Sequence, residues 1–186
     1  MLLLLVTAGI AGCSSSPQRA AEYLDPLTGV TVTRSSSPLV LYRDNSARAA
    51  YARDFVYIAP VSINRMGDYN YYLWFGIWSS ISTEQFVDQR DGFESIILFV
   101  DGEPLRLEIE GWTLSSIGAS EPVYNRPTAT AVEAYYRVTI DQVRFIAEAR
   151  DIRLRTGGPR ANTYEPWDNL AQGLVGMRDF VRYLNN

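Results

Sequence analysis

Apolar and polar positions alternate through most of the chain between residues 30 and 155, and that period of two predicts strands. Val30 and Val32 alternate with Thr31 and Thr33, a β-branched run that reads as a strand over residues 30–33. Ser35-Ser36-Ser37-Pro38 interrupts it, and residues 39–42 resume as a second short strand. Residues 55–63 form a longer strand with Pro60 inside, which predicts an edge position or a bulge because proline has no N–H to give a ladder. Residues 69–79 carry Tyr69, Tyr71, Leu73, Phe75 and Ile77 on one face and Asn70, Tyr72, Trp74, Gly76 and Trp78 on the other. Aromatic residues on both faces predict a central strand covered on both sides. Residues 95–100 and 105–110 flank Asp101-Gly102, a hairpin signal. The return strand sets Leu105, Leu107 and Ile109 against Arg106, Glu108 and Glu110, giving a dry face and a wet one. Residues 130–138 and 152–155 complete the strands.

A helical period appears in three places. Asp44 can cap a short helix through Ala52. Thr139 opens a second helix with Gln142 at capping-box spacing, and Ile140, Val143, Ile146 and Ala147 form its apolar stripe. From Asp168 onward, Leu170, Leu174, Met177, Phe180, Val181 and Leu184 keep helical spacing. Gly173 and Gly176 weaken that last helix but let it lie close to a sheet. Residues 115–127, with Gly118, Pro122 and Pro127, read as a long connection suited to variable contacts. The pattern predicts one α+β domain over residues 29–186: a mainly antiparallel β-sheet or sandwich with two C-terminal helices packed on one face.

Composition narrows the chemistry. The chain has 17 basic residues, every one of them Arg, and no His. Without imidazole, Ser-His-Asp and Cys-His catalysis are excluded. Without Lys there is no Schiff base, no Ser-Lys dyad and no phosphate-loop lysine. Cys13 is the one cysteine, so no intrachain disulfide forms and Cys/His zinc sites are excluded. A net charge of −4 gives no basic face for nucleic acid. No cofactor, metal site or catalytic set is expected, and the small-molecule ligand is left open.

The first residues supply an address. Leu2 to Ala8 form an apolar block too short to span a bilayer, and small residues follow up to Cys13. Ile10-Ala11-Gly12-Cys13 resembles the lipobox of bacterial lipoproteins: an aliphatic residue, two small ones, then Cys. The resemblance implies that residues 1–12 are a signal peptide, that Cys13 is lipidated, and that residues 13–28 include a flexible linker. Ser14 in place of Asp implies the outer membrane of a cell envelope, with the domain facing the periplasm. The implied partners are the membrane, through the lipid, and another envelope protein.

Four groups of side chains are candidates for a site. Tyr72, Trp74 and Trp78 could form a platform for sugar rings or a protein partner, although a covered central strand also explains them. Arg144, Arg150, Arg153, Arg155 and Arg160 suit a lipid headgroup or a glycan, while pairing with Glu148, Asp151 and neighbouring acids on a wet surface is the simpler account of them. Arg153 and Arg155 are the members placed with the Trp stripe in the candidate binding surface. Glu108 and Glu110 share a strand face, the minimum for carboxylate-dependent hydrolysis and also an ordinary solvated edge. Asp88, Asp91 and Gly92 miss calcium-loop spacing. The leading expectation is a non-catalytic binding or assembly module.

Overall fold

The structure, a computed structural model, describes residues 20–81, 89–168 and 170–185. The expected leader, Cys13 and Asp88 lie outside the described residues. Among the described residues, ten strands form: β1 (Ala20–Leu24), β2 (Thr31–Ser35), β3 (Leu39–Asp44), β4 (Arg53–Arg65), β5 (Asp68–Ser79), β6 (Ser95–Val100), β7 (Glu103–Gly111), β8 (Val132–Val138), β9 (Ile152–Thr156) and β10 (Thr163–Pro166). The described residues also form two helices, α1 (Ile140–Ala147) and α2 (Leu170–Leu184), and a 3₁₀ turn over Leu114–Ile117.

The α+β class and the antiparallel pairing are as the pattern predicts, but the sheet is a barrel and not a sandwich. Around the ring the order is β3, β4, β5, β8, β7, β6, β9 and β10, and β10 pairs back onto β3. Residues opposite one another in antiparallel strands share a face, so the register defines the interior. Leu41 opposes Val56, Ile58 opposes Phe75, Leu73 opposes Tyr136, and Leu98 opposes both Leu105 and Leu154. These side chains fill the lumen, as expected when a barrel of eight strands is just wide enough for its own side chains.

Both helices start where β8 and β10 end, so they gather at one end of the barrel. Their buried faces join the same core as the lumen, and α2 packs against α1 and against β1 to β4. Thr139 caps α1 through the predicted box with Gln142. The close approach expected of α2 is real: a Cβ on Gly173 would stand 2.7 Å from the Leu39 Cα, and one on Gly176 would stand 2.8 Å from the Ser37 carbonyl.

Three local expectations are corrected. Residues 45–51 form the turn of the β3–β4 hairpin, closed by Asn45 N–H to the Ala52 carbonyl at 2.8 Å, because pairing of the flanking strands overrides the helix preference of the alanines. Residues 20–24, expected in the linker, are a strand paired with β2. Pro60 lies in the most heavily paired strand of the molecule. β3 pairs with β4 as far as Ile58, and β2 takes over the same edge from Val61. The missing N–H therefore falls in the gap between two partners.

That gap is filled from outside. The Tyr124 hydroxyl donates to the Pro60 carbonyl at 2.8 Å and accepts from the Ser35 N–H at 2.9 Å. Residues 114–124 lie across the outer face of β2, β4, β5 and β8, where Ile117, Ala119, Val123 and Tyr124 build a second core with Val32, Val61, Tyr72, Trp74 and Tyr135. The segment expected to make variable contacts is instead a packed strap. Asp25 pins it: its buried carboxylate accepts from the Ser120 N–H at 2.6 Å and from the Ser120 hydroxyl, and also from the amides of Leu27, Thr28 and Glu121. The Ser120 hydroxyl foremost, with these amides, holds the carboxyl far below the usual carboxylate range despite the opposing effect of burial. A depressed folded-state value stabilises the fold above the unfolded value of about 3.9 and is lost as pH falls below it. Asp25→Asn should therefore be less stable than the native chain at pH 7, and thermal melts from pH 7 to pH 2 should show that gap narrowing below about pH 4.

Candidate functional site

At the end opposite the helices, the interior changes from apolar to polar. The last inward positions of three adjacent strands are Arg43, Asp54 and Ser79, placed in one row by their register. Thr156 and Tyr164 continue the rim on β9 and β10. One guanidinium nitrogen of Arg43 donates to Asp54 Oδ2 at 2.5 Å and another to Asn162 Oδ1 at 2.7 Å. Asn45 also donates to Asp54 Oδ2, at 2.8 Å, and Arg48 stands 3.9 Å from Oδ1. The Arg43 guanidinium lies 5.6 Å from the Tyr164 ring centre. Burial pushes the Tyr164 hydroxyl up to about 12, against the lowering effect of Arg43, so this group is a neutral phenol.

Arg43, Arg48, Asp54, Ser79, Asn162 and Tyr164 line a cleft of about 60 Å³, together with Ile77, Trp78, Gln89, Asp91 and Phe93. Four buried polar atoms of the lining make no hydrogen bond among the described residues: Arg43 Nε, Trp78 Nε1, Asp54 Oδ1 and Gln89 Oε1. Native interiors leave few such atoms. All four belong to residues that line this cleft, and Asp54 Oδ1 faces Arg48 there.

Trp78 links the cleft to the outer wall. Its ring stacks on Phe55 at 4.5 Å, and Phe55 meets Trp167 edge-on at 5.5 Å. Trp167 also meets Tyr42 edge-on, and the Arg53 guanidinium lies 4.9 Å from the Trp167 ring centre. The result is a half-buried group of aromatic rings and one Arg on the outside of β3, β4 and β5. Trp, Tyr and Arg dominate the energetic centres of protein interfaces.

The sequence-derived candidates scatter. Tyr72 and Trp74 are 3% and 1% exposed, covered by the strap, so they form no platform. Trp74 Nε1 donates to Glu133 Oε1 at 3.0 Å, and Glu133 also holds Arg126. Only Trp78 of the three reaches the surface, and it does so with Phe55. Arg153 and Arg155 are exposed on the outer face of β9. Arg144 sits on α1 at the helix end, Arg150 just after it, and Arg160 in the loop at the open end, so the cluster is spread along the barrel. Arg144 pairs with Asp141 and Arg153 with Asp151. Glu108 accepts from Ser95 and Glu110 from Arg137, both on the exposed outer face of β7. Among the described residues, no group of three acidic, His or Cys side chains is placed to hold a metal ion, and no helix is long and apolar enough to cross a membrane.

Comparison with protein-family models, with curated proteins and with solved structures finds no match to this chain. The open end therefore stands on its geometry. Its residues did carry a signal in the sequence: Arg43 follows Leu39 and Leu41 at the inward parity, and Asp54 precedes Val56 and Ile58 at theirs. A charge at a buried parity is a marker. Reading residues 44–52 as a helix hid it.

The ion pair at the rim has a measurable signature. Asp54→Leu strands Arg43 beside an apolar core and should cost about 2–3 kcal/mol, less than a fully buried pair because the Arg43 side chain is 24% exposed. Arg43→Leu combined with Asp54→Leu should recover most of that loss in urea unfolding, since paired replacement by apolar groups is close to neutral. Additive losses would contradict the pairing.

Proposed function

We propose that this chain is a lipid-anchored envelope module that binds or assembles with a partner and performs no catalysis, tethered through Cys13 to the outer membrane and facing the periplasm. The observation that carries the binding half of this reading is the polar end of the barrel, opposite the helices. Among the described residues, buried polar atoms of its lining side chains make no hydrogen bond, and the adjoining wall presents the rings and guanidinium typical of interface centres. The lumen itself is filled, which leaves the rim and its outer wall as the contact surface. The non-catalytic half is supported by the lack of His and Lys and by the position of Glu108 and Glu110 on an exposed face, paired with Ser95 and Arg137. The address rests on the lipobox resemblance, because two acyl chains hold a protein stably where one does so marginally.

One experiment tests both halves. A benzophenone amino acid is placed at Tyr42, beside the aromatic wall, or at Glu103, at the helix end, in the full chain expressed in a bacterium. The proposal expects the chain in the membrane fraction and a discrete envelope protein cross-linked from position 42 and not from position 103. Cys13→Ala should release the chain from the membrane. Retention of that variant would overturn the anchor, and equal cross-linking from both positions would overturn the binding end.

A further inference from the structure

We propose that the tip formed by the β1–β2 and β4–β5 turns inserts into the surface of the lipid bilayer, a contact that rests on reading Cys13 as the anchor. Among the described residues, seven large apolar side chains are exposed, and four of them, Leu24, Leu27, Met66 and Tyr69, belong to this tip. The register gathers them. Leu24 opposes Thr31, Thr31 opposes Asn64, and Asn64 opposes Tyr69, so Leu24 and Tyr69 end one row across four adjacent strands and share a face. One position beyond that row, the Asp25 N–H donates to the Val30 carbonyl at 2.8 Å, level with the facing pair Arg65 and Asp68. The two turns therefore project side by side, and at a strand spacing of about 4.8 Å their centres lie about 10 Å apart. They stand past the barrel rim at the helix end: β8 stops at Val138, opposite Tyr71, whereas β5 starts at Asp68.

Turn chemistry does not ask for these side chains. Met66 has φ 53° and Gly67 φ 94°, the left-handed pair that closes a two-residue hairpin, where Asn-Gly or Asp-Gly is favoured. A fully exposed methionine there gives up turn preference and buries nothing. Leu27 is 83% exposed in a turn that is firmly held, since Asp25 Oδ1 accepts from the amides of Leu27 and Thr28. Residues 26–29 carry no charge, and Arg65 opposes Asp68, so the tip offers apolar surface without net charge. The occupant follows from the tether. The chain from Cys13 to Ala20 spans at most about 25 Å. From Ala20, β1 then runs about 14 Å to Leu24. A lipid on Cys13 therefore reaches the level of the tip with length to spare. Leu27 and Met66 enter the acyl boundary, and Tyr69 lies among the headgroups with its hydroxyl wet. The polar end of the barrel then points away from the bilayer.

Methionine methyl NMR on the full chain, expressed in a bacterium and reconstituted in lipid nanodiscs, tests the contact. Of the three methionines, Met1 falls in the expected leader, Met66 marks the tip, and Met177 is buried in the core as an internal control. A doxyl-labelled lipid should broaden the Met66 methyl and a gadolinium chelate in the water should not, while Met177 responds to neither. The result should be the same in phosphatidylcholine as with phosphatidylglycerol added, because the contact is apolar. Leu27→Ser, read through Met66, should lower the ratio of docked to free tip about fivefold. Met66→Asn, read through the Leu27 methyls, should weaken the contact similarly yet raise the melting temperature by about 2–4 °C, since Asn suits the left-handed position. A lowered melting temperature would assign Met66 to the fold and overturn its role in the contact. Broadening of Met66 by the chelate and not by the lipid, or by lipid only when phosphatidylglycerol is present, would overturn the proposal. So would a benzophenone at Met66 that captures an envelope protein in cells. Mass spectrometry of the same sample separates this from the anchor. Lipidated Cys13 with Met66 in water would remove the tip contact and leave the anchor; unmodified Cys13 with Met66 in lipid would do the reverse.

Discussion

Closure of the barrel hangs on a short seam. β10 has four residues and meets β3 through two paired positions, Glu165 with Tyr42 and Pro166 with Leu41. On its other side it meets β9 through Thr163 with Arg155 and Tyr164 with Leu154. Four residues make few ladder bonds, so the seam depends on side chains as well. Tyr164 points into the lumen against Phe93, and Arg43 reaches from β3 to Asn162 just before β10. Without the seam the two halves of the sheet would be free to part, and the rim would lose two of its walls.

The same closure sets the polarity of the two ends. At one end the apolar stripes of α1 and α2 complete the core, and Gly173 and Gly176 let α2 come within backbone contact of residues 37–39. The other end has no such cover among the described residues, and its innermost row is an Arg–Asp pair instead of a Leu. A buried ion pair is weak support for stability, because desolvation offsets most of the attraction. Among the described residues, Arg43 and Asp54 place that pair in the polar row that ends the apolar lumen. The aromatic wall outside continues the same surface through Trp78.

Much of this was legible in the residues. Alternation located the strands of the 95–110 hairpin, the covered strand β5 and the α1 cap, because each is decided by local period and turn chemistry. The apolar spacing of α2 and the role of its glycines were legible for the same reason. Barrel closure was not, since a two-residue period reports which side faces a core and is silent about whether the sheet returns on itself. Pro60 misled because the rule against central prolines assumes a continuous neighbour, and here one neighbour stops before it and another starts after it. The pattern put Tyr72 and Trp74 on a covered strand with a surface platform as the alternative, but nothing local reveals that the cover is a strap more than forty residues later. The rim residues were missed for a simpler reason: a helix assigned to the β3–β4 turn removed the parity that would have placed Asp54 inside.

The direct test of the account is whether the seam exists in solution. Nuclear Overhauser spectra of the assigned chain report backbone protons that approach across paired strands. A closed barrel requires contacts between Glu165 and Tyr42, and between the side chains of Arg43 and Asn162. Finding them establishes the ring and the rim together. Their absence, with the β3–β4–β5 and β6–β7 pairings still present, would describe an open sheet and dissolve the site built on its closure.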